Sequence, residues 1–186
     1  MLETPLQPRG ETISRTAGES ARRGRTVLTI FHLAGELFAV DASLVQEITF
    51  MARLSTPNGL PPLIAGFLNL AQRSIPVIRL RRLLGLPESE PGLYTQILIL
   101  RDGEGSATGW MVDRITQIIP VRQEEILPVP ENHCFRDCAK GIWTANDNSI
   151  SILAPDRVLL EKERLCILDF QAREQQRLNE LDHCQP

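Results

Sequence analysis

Two histidine–cysteine pairs carry the most specific chemistry this chain could do. His133-Cys134-x-x-x-Cys138 could form half of a metal site, and His183-Cys184 could complete it. Zinc takes four such imidazole and thiolate ligands in a tetrahedron. The spacing is not that of a zinc finger, and the second pair lies near the end of the chain, where helices fray. The expectation is no bound metal and free thiols, with His133, Cys134 and Cys138 the residues a zinc site would need. Cys134 beside His133 could also be nucleophile and base, but adjacent residues on a strand point to opposite faces. Asp102, Glu104 and Asp113 could gather into an acidic site, though a charged hairpin tip is ordinarily just solvated. There is no glycine-rich phosphate loop, no supported Ser/His/Asp set and no receiver-like acidic cluster. The residues therefore point away from an enzyme and call for no cofactor. Noncovalent binding is the chemistry left.

The elements that would position a binding surface centre on Pro57–Leu86. Two apolar runs, Ile64–Leu70 and Ile75–Leu80, are divided by the short polar break Ala71-Gln72-Arg73-Ser74. Runs this short, bounded by turn formers, read as buried strands. Gly66 marks a close backbone approach or a bend. Pro76 cannot donate to a ladder, so its strand is expected at a sheet edge, or Pro76 at the strand's start. Leu80, Leu83 and Leu84 fall at i, i+3, i+4 on a short helix that Gly85 stops.

Further strands follow from alternation and turn signals. Val27–Leu33 and Leu37–Val40 make a hairpin about Ala34-Gly35-Glu36. Val45–Phe50 alternates, with Val45, Glu47 and Thr49 on one face and Gln46, Ile48 and Phe50 on the other. Thr95–Leu100 and Ala107–Val112 pair across a charged turn. An element holding Ile115, Ile118 and Ile119 is ended by Pro120. Gly141–Thr144 and Ser149–Leu153 make a last hairpin. Many short strands with Gly, Pro and Asn turns indicate small barrels or a sandwich. From Pro155 the period turns helical. Residues 169–177 are mostly polar, so the first half of this helix is expected to dock and the second half to project.

The chain has 186 residues and 42% apolar content, enough for one domain with a real core. A net charge of −3 gives no reason to expect nucleic acid. Residues 1–25 mix Arg and Glu without apolar periodicity and read as a disordered tail. No run suits membrane insertion, which takes about 20 apolar residues, and no secretory h-region is present. A reducing cytoplasmic location is the expectation.

Read together, these strands resemble the chemotaxis coupling-protein family, the CheW-like domain, over roughly Thr26 to Leu160. The resemblance rests on Phe31-x-Leu-x-Gly35-Glu36-x-Phe38-Ala39-Val40-Asp41 and on Val45-Gln46-Glu47-Ile48. Pro57-Asn58, Gly66-x-x-Asn69-Leu70 and Ile75-Pro76-Val77-Ile78-x-Leu80-Arg81 add to it. Gly109-x-x-Val112-Asp113 and Ile152-Leu153 to Leu159-Leu160 complete it. It implies a mainly all-β fold of two intertwined five-stranded SH3-like barrels, residues 26–160, followed by a C-terminal helical extension, 161–186. It implies a non-enzymatic adaptor that couples the cytoplasmic tip of a chemoreceptor to the regulatory domain of a CheA-type histidine kinase. One barrel surface would meet the kinase, and the groove between barrels the receptor. Partner-binding candidates are Val45, Glu47, Gly66, Phe67, Leu68 and Asn69, with Trp110, Met111 and Val112 opposite, about half of them expected to be structural. A generic SH3-like peptide-binding module outside chemosensory arrays is the alternative.

The chain departs from the family at Asn69-Leu70-Ala71-Gln72, where the family reads Asn-Leu-Arg-Gly. The resemblance implies that the missing arginine pairs with the glutamate matching Glu47. Arg73 or Arg79 is expected to reach Glu47 instead. Without its glycine, the turn must avoid positive φ or hold Gln72 under strain. These departures imply a divergent coupler serving a non-flagellar array.

Overall fold

The structure, a computed structural model, describes residues 24–101, 106–145 and 147–183. Most of the tail expected over 1–25 and the charged tip at Asp102 and Glu104 lie outside the described residues. Arg25 opens the first strand rather than closing a tail. The strands are β1 (Arg25–Leu33), β2 (Glu36–Asp41), β3 (Val45–Phe50), β4 (Ile64–Leu70) and β5 (Arg73–Ile78). After a short helix α1 (Leu80–Leu83) come β6 (Gln96–Arg101), β7 (Ala107–Val112), β8 (Arg114–Arg122) and β9 (Ile126–Leu127). β10 (Ala139–Ala145) and β11 (Asn148–Leu153) precede α2 (Pro155–Val158) and the long α3 (Glu161–His183).

The strands form two sheets, one of six in the order β8-β1-β2-β11-β10-β9 and one of five in the order β3-β6-β7-β5-β4. The first contains both early and late strands, so the chain leaves it after β2 and returns at β8. Sheet composition matches the expectation of two intertwined units, with the two-residue β9 as an additional strand on the first.

Alternation sorts the apolar residues into three cores. Leu28, Ile30, Ala39, Val121, Ile150 and Ile152 line the inner face of the six-stranded sheet. Ala65, Leu68, Ile75, Val77, Ile97 and Ile99 do the same for the five-stranded one. The largest core lies between the sheets. There Phe31, Leu33, Phe38 and Val40 meet Ile78, Leu98, Leu100, Trp110 and Val112, and α2 and α3 add Val158 and Ile167. Hydrophobic burial against one shared core therefore joins the two sheets.

Two proline expectations are corrected. Pro76 is neither at an edge nor at a strand's start: β5 is interior and Pro76 sits within it. Phe67, opposite Pro76, turns its N–H and C=O to Ser55 instead, at 2.8 Å each. That leaves Pro76 with its missing donor turned away from β4, toward β7, and the parallel ladder with β7 begins only at Val77. No ladder bond is lost. Pro120 does not end its element either. It lies within β8, opposite Val27, and β8 is an edge strand, where a proline is tolerated.

Gly66 is required as expected. Its φ is +151°, and a Cβ there would lie 2.7 Å from the Ser55 carbonyl oxygen. The Leu54–Ser55 segment thus crosses β4 at backbone contact, bridged through Ser55 and Phe67.

The β4–β5 turn takes the strained option. Ala71 and Gln72 both have positive φ, +46° and +63°. Helix α3 holds this hairpin. Gln175 donates to the Gln72 carbonyl at 2.8 Å and accepts from the Ser74 N–H at 2.9 Å. Gln171 donates to the Ser74 carbonyl at 2.9 Å. Glu174, 6% exposed, accepts from the Ser55 hydroxyl at 3.0 Å. The second half of the helix therefore docks instead of projecting. It does so through side-chain amides that satisfy turn backbone, which no apolar period reveals.

Two measurements follow from these local geometries. An alanine in the left-handed region costs about 1–2 kcal/mol. Part of that is offset by the entropy glycine loses on folding, so Ala71→Gly is expected to stabilise by about 0.5–1 kcal/mol. A urea midpoint that falls would contradict the strained turn. Asp41 gives a pH dependence. Burial raises its pKa, but bonds from the Ser43 hydroxyl and N–H and from Lys140 outweigh that and leave it lowered. A lowered carboxyl stabilises the fold above its unfolded pKa and loses that contribution as pH falls through the folded value. Stability of the native chain should therefore drop more steeply below about pH 4 than that of Asp41→Asn. Parallel acid curves would show that Asp41 contributes nothing.

Candidate functional site

The two sheets meet at Asp113, the one residue between β7 and β8. Its carboxylate accepts from Arg81 twice, at 2.6 Å from Nη2 and 3.1 Å from Nε. It also accepts from the Ala34 N–H at 2.9 Å. Ala34 is in the β1–β2 turn with φ +53°, and the Asp113 N–H donates to the His32 carbonyl at 3.1 Å. Arg81, on α1, also donates to the Pro87 carbonyl at 2.9 Å. A two-pronged arginine–carboxylate pair fixes orientation as well as distance. It ties α1 and the loop after it to a turn of the other sheet. Asp113 therefore works in this junction and not in an acidic catalytic cluster.

Beside this junction, exposed apolar residues stand on the faces of both sheets that look toward the shared core. In antiparallel pairs, opposed residues share a face. Ile48 opposes Leu98 and Phe50 opposes Gln96, so both project toward the inter-sheet side that Leu98 helps to fill. The Gln96 side chain accepts from the Ile115 N–H at 2.7 Å, which brings the start of β8 against that same side. On β1 and β8, Val27 opposes Pro120 and Ile118 opposes Thr29, on the face that Phe31 and Leu33 share. Phe50 is 64% and Ile118 54% exposed, with Val27 and Ile48 more than a third exposed. Four exposed apolar side chains, two from each sheet, thus stand on the faces that look toward the shared core.

The residues singled out in the sequence divide differently. Phe67, Leu68, Trp110 and Val112 are buried, as is Gly66. They serve chiefly as core, which corrects the reading of Gly66, Phe67, Leu68 and Val112 as groove contacts, while Trp110 also lines an apolar pocket with Leu44, Leu100, Thr108 and Leu159. Met111 is half-buried against the inner core of its own sheet and Val45 against the shared core. Glu47 and Asn69 are exposed. Asn69 lines a polar recess of about 430 Å³ with Arg53, Ser55, Thr56 and Arg177. Among the described residues no ion pair joins Glu47 to Arg73 or Arg79, and Glu47 is solvated, so the proposed replacement for the family arginine is overturned. The missed residues were legible in part. Ile48 and Phe50 stand on the face of β3 opposite Glu47, and exposed apolar residues two apart on one strand face signal a contact surface.

The histidine–cysteine motif sits in the loop before β10. The His133 ring accepts from the Phe135 N–H at 3.2 Å and contacts the Ser151 hydroxyl at 3.4 Å, so both nitrogens have protein partners. Burial, with the charge of Asp137 added, pushes the Cys138 thiol up, which disfavours the thiolate a metal or nucleophile needs. Among the described residues no three His, Cys, Asp or Glu side chains group to hold a metal. The side chain of His183, and Cys184, lie outside the described residues.

Comparison with known proteins places these features in a family context. Residues 28–163 match the family model described as the CheW-like domain. A chemotaxis protein CheW from Klebsiella aerogenes is 30% identical over 87% of this chain and 96% of its own length. One from Bacillus subtilis is 35% identical over 56% of this chain and 66% of its own length. The scaffolding protein TtCheW from Thermoanaerobacter tengcongensis superposes with a TM-score of 0.66 at 27% identity, covering 69% of this chain and 88% of that one.

The junction can be tested directly. Arg81 and Asp113 side chains are only 17% and 33% exposed. Asp113→Ala removes three hydrogen bonds and leaves Arg81 partly buried, so a loss of about 2–3 kcal/mol is expected. Arg81→Ala should cost somewhat less, and the double variant should show coupling of about 1 kcal/mol or more. Additive losses in chemical denaturation would mean the pair does not join the sheets energetically.

Proposed function

The chain belongs to the CheW-like domain family, and from that premise we propose that it is a non-enzymatic adaptor in a bacterial chemosensory array. It joins the helical cytoplasmic tip of a chemoreceptor to the regulatory domain of a CheA-type histidine kinase, with residues 26–160 as the adaptor module. The observation that carries this reading is the apolar surface left exposed on both sheets, by Val27 and Ile118 on one and Ile48 and Phe50 on the other, on the faces that look toward the shared core. On this reading the two pairs flank one cleft, the kind of surface an amphipathic helix fills. We assign that cleft to the receptor helix. Exposed Glu47 on β3 and Asn69 on β4 are assigned to the kinase domain, whose contact in this divergent array does without the family arginine at position 71, while Val45 packs against the shared core.

The work is placed in the cytoplasm, beside the receptor tip. No helix among the described residues is long and apolar enough to cross a membrane. Binding of this kind needs no covalent step. A scaffold acts by holding two partners at a set distance, which is why a stiff junction at Asp113 matters more than any reactive group.

The experiment is a binding titration with a soluble receptor-tip fragment and, separately, the kinase regulatory domain. Phe50→Ser combined with Ile118→Ser changes two exposed residues and should leave the fold intact. It is expected to weaken receptor-fragment binding about tenfold or more, as loss of apolar anchors does, while kinase-domain binding stays as it was. Unchanged receptor binding would remove the cleft assignment. A native chain that binds neither partner would leave the peptide-binding alternative standing instead.

A further inference from the structure

Helix α3 is apolar on two sides. Its docked side carries Ile167, Phe170 and Leu178 among the amides that hold the β4–β5 turn. On the side away from the sheet, Leu165 is 59% and Leu168 37% exposed, and Ala172 is exposed as well. These three fall at i, i+3 and i+7, the spacing of a helix–helix seam. A solvated helix needs no such stripe, and the docking of α3 does not use it.

The charges beside the stripe choose its occupant. Lys162 and Asp169 lie one heptad apart on the same flank of the seam, both exposed. Asp169 shares one oxygen with Arg173 at 2.5 Å, four residues along the same helix. An antiparallel copy of this helix would set Leu165 against Leu168 of the second copy. The same two-fold axis would bring Lys162 toward Asp169 of the second copy, and the reverse pair with it, since seam flanks of the same type meet in antiparallel helix pairs. Self-complementarity about a two-fold axis is the commonest way that identical chains pair.

We propose that the outer face of α3 is a self-association surface, through which two copies of this chain pair helix to helix in antiparallel fashion about an axis between Leu165 and Leu168. The pairing is independent of the adaptor reading, since none of Val27, Ile48, Phe50, Ile118, Glu47 and Asn69 takes part. A stable interface buries about 1,200–2,000 Å² in total. Two leucines and an alanine per copy bury less, so the dimer is weak, with a Kd of about 0.1 mM or higher.

Sedimentation equilibrium of the full chain over about 0.02–1 mM reads this association. The native chain is expected to move from monomer toward dimer across that range. Leu165→Glu with Leu168→Glu, both exposed positions, should raise the Kd at least about tenfold while far-ultraviolet dichroism stays unchanged. Lys162→Asp should raise it about threefold to tenfold through like-charge contact, and Lys162→Asp with Asp169→Lys should restore it to within about twofold. A native chain that stays monomeric throughout overturns the proposal. So does a dimer indifferent to the leucine changes, or a charge swap that fails to restore association.

Discussion

Three hydrogen bonds to one carboxylate hold this molecule's two halves in register. Asp113 stands where the chain passes from the five-stranded sheet back to the six-stranded one. It receives Arg81 from one half and the Ala34 N–H from the other. The shared apolar core pulls the sheets together, but burial is non-directional and would tolerate sliding. The arginine fork and the turn N–H supply direction. The angle between the sheets, and so the relative placing of the exposed Ile48 and Phe50 and of Val27 and Ile118, depends on that geometry.

An adaptor of this family works by geometry alone, so its design differs from an enzyme's. On the proposed reading no reactive group is called for. Strain sits instead in a turn, Ala71-Gln72, and helix α3 holds it there through Gln171 and Gln175. A glycine would relax this turn. The chain keeps two side chains in the left-handed region and has a helix whose amides satisfy the carbonyls of Gln72 and Ser74. The polar grip of α3 and the non-glycine turn are therefore best understood together.

Much of the fold could be read from the residues. Alternation locates the principal strands, and the glycine at position 66 marks a point of backbone contact. What failed did so for physical reasons. Pro76 was read by a rule about edges, yet its missing donor faces the side where β7 has not begun to pair. The polar segment 169–177 was read as solvated because apolar periodicity cannot register docking by amide side chains. The contact surface was less legible. Phe67, Trp110 and Val112 have the composition of anchors and serve as core, because a strand between two cores is apolar on both faces. Arg81 and Asp113 stood in the quoted motifs without a role, since only the fold brings residues 32 positions apart into a fork.

On the proposed reading, one chain holds two different partners at once through separate surfaces. Size-exclusion chromatography with mass detection, on a mixture of this chain, a CheA-type regulatory domain and a receptor-tip fragment, tests it most directly. A single ternary complex is expected, with each partner retained in the presence of saturating amounts of the other. Mutual displacement of the two partners, or failure of the chain to retain either one, would contradict it.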